Sequence, residues 1–71
     1  MIGTAIEIMV NGEPRVVTQG ASLLELLSSF ELDPHTVVVE HNRQIVRRPA
    51  LGDVHLTAGD SVELVHFVGG G

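Results

Sequence analysis

The chain has 71 residues, 44% of them apolar, and its nine acidic residues against four arginines leave a formal charge of −5. That length supports one small domain around one core, and the absence of cysteine excludes a disulfide framework or a thiolate metal site. The acidic balance disfavours nucleic acid and anionic membrane surfaces as partners, and the apolar runs are too short for a membrane span or a signal-peptide core, so a cytoplasmic protein with basic partners is expected.

In chain order, Ala5-Ile6-Glu7-Ile8-Met9-Val10 places Ile6, Ile8 and Val10 on one face, the period-two pattern of a half-buried strand. Asn11-Gly12 is the favoured pair for a type I′ turn, so Glu13 to Thr18 should return antiparallel, with Pro14 suited to an edge. Gln19-Gly20 breaks that strand, and Ser22-Leu23-Leu24-Glu25 reads as a capping box. The helix it opens carries Leu23, Leu26, Leu27 and Phe30 as one apolar stripe, and Pro34 stops its continuation. So short a helix has to pack on a sheet to persist.

The β-branched run Thr36-Val37-Val38-Val39-Glu40 predicts a third strand, with Asn42-Arg43 turning into the short strand Gln44-Ile45-Val46. Arg47-Arg48-Pro49 closes that unit, and Ala50 to Asp60 reads as a long irregular loop in which only Val54 and Leu56 reach inward. Ser61 to Val68 is the last extended segment, followed by Gly69-Gly70-Gly71. A single helix laid across one face of a mixed sheet of four to five strands would bury every apolar stripe. The expected class is α+β and the expected architecture a β-grasp over residues 1–68, with residues 69–71 as a flexible C-terminal glycine tail.

Parity in the last strand points Val62 and Leu64 to the helix and leaves Glu63, Val65 and Phe67 on the opposite side. Val65 and Phe67 would then form an apolar docking patch beside the tail; alternatively, Phe67, near the strand end, folds back onto the core. His35, His41, His55 and His66 lie on different elements and show no metal-ligand spacing. Ser22, Ser28, Ser29 and Ser61 have capping, helix or strand-edge explanations, so no catalytic residue and no enzyme is expected. What remains is the tail: residues without Cβ tolerate close backbone approach, as a narrow channel demands, and they end in a free carboxylate. The chain has no lysine and no cysteine, hence no side-chain amine or thiol that an activated tail on another copy could acylate.

The sequence resembles the ThiS sulfur carriers of thiamin biosynthesis, ubiquitin-like proteins ending in Gly-Gly. The resemblance rests on Asn11-Gly12-Glu13, the Leu-rich helix from Ser22 to Phe30, Val37 to Asn42 leading to Ile45-Val46-Arg47-Arg48, Ala58-Gly59-Asp60, and above all Val62 to Gly71. It implies that an adenylating enzyme similar to ubiquitin-activating enzymes, using ATP and Mg²⁺, activates the Gly71 carboxylate. Sulfur from a persulfide donor then leaves a thiocarboxylate on Gly71, which thiazole synthase consumes. The chain itself would hold no cofactor and catalyse nothing, and Gly70, Gly69, Val68, Phe67 and Val65 would be the tail and partner-binding residues. A molybdopterin-synthase sulfur carrier, a ubiquitin-like protein modifier, and an interaction domain with an inert tail are the alternatives.

Overall fold

The computed structural model of the protein describes residues 3–67, and within them the elements follow the expected order. The strands β1 (Ala5–Val10) and β2 (Glu13–Thr18) pair antiparallel. Their turn has φ of 51° at Asn11 and 81° at Gly12, the positive values a type I′ turn needs at both central positions. Ile6, Ile8 and Val10 point inward while their neighbours are exposed, and Pro14 sits on an edge strand.

The helix α1 (Leu23–Ser29) begins with the predicted capping box. Ser22 Oγ accepts the Glu25 amide at 3.0 Å, and the Glu25 carboxylate accepts the Ser22 amide at 2.8 Å, so two of the orphan donors at the helix start are satisfied reciprocally. Leu23, Leu26 and Leu27 are buried, and Phe30 caps the C-terminal end half-buried beneath the Arg15 guanidinium, 5.3 Å from the ring centroid. A 3₁₀ turn at Pro34–Thr36, capped by Asp33, takes Thr36 out of the predicted strand, so β3 runs Val37–His41. The Asp33 carboxyl is held below its ordinary value by the His35 amide and then the His35 side chain.

β3 turns through Asn42 and Arg43, at φ 51° and 72°, into β4 (Gln44–Val46), and β5 (Ser61–His66) completes the sheet. The strand order is β2-β1-β5-β3-β4, with β1 and β5 parallel and every other pair antiparallel. A five-stranded mixed sheet with one helix on one face is the β-grasp arrangement. No helix of the described residues is long and apolar enough to cross a membrane.

The stretch from Ala50 to Asp60 departs from expectation. Arg48–Asp53 is a 3₁₀ helix that packs against α1, with Pro49 presetting its first turn, and it buries Leu51 at 1% exposure. Leu56 is fully buried as expected, whereas Val54 is only half-buried. Residues 54–56 are tied to the start of α1: the Leu23 amide donates to Val54 C=O at 3.0 Å and the Leu56 amide to Ala21 C=O at 2.8 Å. Leu51 and Leu56 thereby fill the core from a segment with no strand or α-helix period, and without a period to mark its inward face Leu51 carries no signal in the sequence.

Candidate functional site

The site is built on β5, which both neighbours hold. On the β3 side, the Asn42 amide donates to Ser61 C=O at 2.8 Å and the Phe67 amide to Thr36 C=O at 3.0 Å, so the odd-numbered residues of β5 face β3. On the β1 side, the Asn11 amide donates to Val62 C=O at 2.9 Å, after which the chain turns away at Gly12. The Asn11 side chain continues the ladder where the backbone cannot. Its Oδ1 accepts the Leu64 amide at 2.7 Å and its Nδ2 donates to Leu64 C=O at 3.2 Å.

The entry to β5 is clamped through Asp60, a buried carboxylate with four donors. Oδ2 accepts the Thr57 amide at 3.0 Å and His41 Nε2–H at 2.8 Å; Oδ1 accepts the Thr57 hydroxyl at 3.0 Å and Asn42 Nδ2 at 3.3 Å. Burial pushes this carboxyl up, but His41, the Thr57 amide, Asn42 and the Thr57 hydroxyl together outweigh it and hold the group at about 2. Asn42 Oδ1 also accepts the Ser61 amide at 2.9 Å. Both turn asparagines thus fix the strand that carries the chain toward Gly71. Asn11 and Asn42 read as turn residues in the sequence, and nothing local signals that Asp60 would be buried.

Parity in β5 holds: Val62 is fully buried, Leu64 packs half-buried against the core, and Glu63, Val65 and Phe67 face out. Val65 is 56% exposed and Phe67 44%, so Phe67 does not fold back into the core. Val65 lies opposite Val38, and Ile45 adds a further exposed apolar side chain from β4. Val38, Ile45 and Phe67 line one shallow groove of about 370 Å³ with His35, Arg47 and Arg48. Sequence reasoning missed Val38 and Ile45, although the same period-two count would have placed Val38 outward. Beside the apolar row, Glu63 stands directly opposite Glu40.

Val68, Gly69, Gly70 and Gly71 lie outside the described residues. The histidines are separate: His35 Nδ1 is 3.0 Å from Asp33, His55 Nδ1 is 2.8 Å from Gly20 C=O, and His41 serves Asp60. Among the described residues no three His, Asp or Glu side chains gather as a metal site would require.

These features define a small β-grasp domain whose central last strand leads out beside an exposed apolar patch into a glycine-rich sequence. The pattern of the ThiS family matches residues 5–71, and the chain belongs to that family. It is 40% identical over 50 residues to the sulfur carrier protein ThiS of Bacillus subtilis, covering 70% of this chain and 76% of that protein. It is 41% identical over 66 residues to a thiazole synthase of Magnetococcus marinus, a match to 93% of this chain but 20% of that protein. The chain therefore spans about a fifth of the length of the thiazole synthases it matches. The crystal structure of the thiamine biosynthesis protein ThiS from Geobacter metallireducens superposes with a TM-score of 0.80 at 33% identity, covering 93% of this chain and 100% of that one.

Proposed function

We propose that this chain is a sulfur carrier of thiamin biosynthesis, a cosubstrate and not a catalyst, with the carboxylate of Gly71 as its working group. Family membership supports the reading. The observation that carries it is the path of β5, which brings the chain to Phe67, four residues before Gly71, with Val65 and Phe67 exposed alongside.

A carboxylate is a poor electrophile, so oxygen must first become part of a better leaving group. In the proposed sequence an adenylating enzyme of the ubiquitin-activating class binds ATP and Mg²⁺, and a Gly71 carboxylate oxygen attacks the α-phosphorus, releasing pyrophosphate. The terminal sulfur of a persulfide attacks the acyl carbon and AMP leaves, giving an acyl disulfide; a thiol then attacks its donor-side sulfur, breaking the S–S bond, so that a disulfide forms with the donor and the thiocarboxylate is released. Thiazole synthase then takes that sulfur. Gly69 and Gly70 let the backbone enter a narrow channel, and Val65, Phe67 and Val68 supply apolar contact to the partner. With no cysteine in the chain, the thiocarboxylate is its one reactive sulfur nucleophile, the thioethers of Met1 and Met9 being weak ones.

Mass spectrometry tests this. The purified chain should end at Gly71, and incubation with the adenylating enzyme, ATP and a persulfide donor should give a C-terminal peptide that a thiol alkylator labels. Alkylation separates sulfur for oxygen from oxidation of Met1 or Met9, which adds nearly the same mass. An unlabelled peptide beside a loaded control carrier would refute the proposal, and ATP-dependent adducts to lysines of other proteins would favour a protein modifier.

A further inference from the structure

We propose that the adenylating partner completes the sheet of this protein by adding an extended segment along the open edge of β5 at His66, in the lane that β1 vacates; this rests on the sulfur-carrier reading. Because the odd residues of β5 bond to β3, the amide and carbonyl of each even residue point toward β1. Val62 meets the Asn11 backbone there and Leu64 meets the Asn11 side chain. His66 is next in phase, and among the described residues its N–H and C=O have no partner. The cause is geometric: β1 ends at Val10, and the Asn11 side chain is held at Leu64 through both its Nδ2 and its Oδ1, one residue pair short of His66. Unpaired backbone groups at strand spacing are a template for another strand.

Beside this gap lies an open groove of about 260 Å³ lined by Val10, Phe30, Leu32, Leu64 and the His66 side chain, with Glu13 and Arg15 also contributing to its wall. An added strand directs alternate side chains to the helix side of the sheet, so one apolar side chain of the partner can enter it. The sequence favours the same occupant. Gly69, Gly70 and Gly71 have no side chains, so a protein that acts on Gly71 recognises this stretch through its backbone, the same mode of recognition proposed at His66.

Amide hydrogen exchange of the full chain, alone and with the adenylating enzyme in the absence of ATP, reads the edge directly. The His66 amide should exchange fast in the free protein and become protected in the complex. Two variants separate backbone from side chain. His66→Pro removes the N–H on the β1 side while the bonding groups of Val65 and Phe67 toward β3 remain, and should raise the KM for loading roughly tenfold or more above that of His66→Ala, which loses the same side chain but keeps the N–H. Normal loading of His66→Pro, equal defects in both variants, or an amide that stays fast in the complex would overturn the proposal while leaving the sulfur-carrier reading intact. Protection of His66 in the isolated protein as its concentration rises would assign the edge to a second copy and also overturn it. If the wild-type chain is neither bound nor loaded, the sulfur-carrier reading falls, and this inference with it.

Discussion

Replacing Asp60 by asparagine tests whether one buried carboxylate holds β5 in place. The Asp60 carboxyl sits at about 2 instead of its ordinary 3.8. At about 1.4 kcal/mol per tenfold change in proton affinity, that difference is worth about 2 kcal/mol of folding free energy. Because the folded-state value is depressed, this stability is fully present above about pH 4 and is lost as pH falls toward 2. In Asp60→Asn one oxygen becomes an NH₂ facing a site lined by the Thr57 amide, the Thr57 hydroxyl, Asn42 Nδ2 and His41 Nε2–H. Most of the contribution should disappear at pH 7, a loss of about 2 kcal/mol, or about 10 °C in Tm for a domain of this size. Urea unfolding of both proteins from pH 7 to pH 2, followed by far-UV circular dichroism because the chain has no Trp or Tyr, measures it. The gap between wild type and variant should narrow below pH 4 and nearly close at pH 2. A gap independent of pH, or none at pH 7, would refute the argument.

Three further outcomes are expected. Leu51→Ala, which empties a fully buried site between the 3₁₀ helix and the core, should cost about 3 kcal/mol in urea titration. Arg43→Gly should raise stability by up to about 1 kcal/mol in the same assay, since Arg43 is held at φ 72° in a turn that prefers glycine. Val65→Ser combined with Phe67→Ser should leave the Tm within about 3 °C of wild type, both side chains being exposed, while raising the KM for enzymatic loading about tenfold; an unchanged KM would remove the apolar row from the docking surface.

The stability of the sheet and the presentation of its last strand are linked through the two turns. Each asparagine adopts the positive φ its hairpin requires and then uses its side chain on β5, Asn11 at Leu64 and Asn42 at Ser61. Loss of either should loosen the strand that leads to the glycines before it unfolds the domain.

Much of this was written locally in the chain. Asn11-Gly12 and Asn42-Arg43 mark turns by their tolerance of positive φ, Ser22 and Glu25 close a capping box across one helical turn, and the alternation of Ile6, Ile8 and Val10 sets which face of β1 is buried. Parity alone placed Val65 and Phe67 on the open face, because a side chain two residues along a strand returns to the same side. The burial of Leu51 and Asp60 could not be read that way: each lies in a segment without a regular period, and each is enclosed by residues distant in sequence. The gap beside His66 is likewise a tertiary fact. It exists because β5 outruns the parallel strand next to it, and where two strands stop relative to one another is decided by how the helix, the 3₁₀ segment and the sheet pack together, which no stretch of sequence contains by itself.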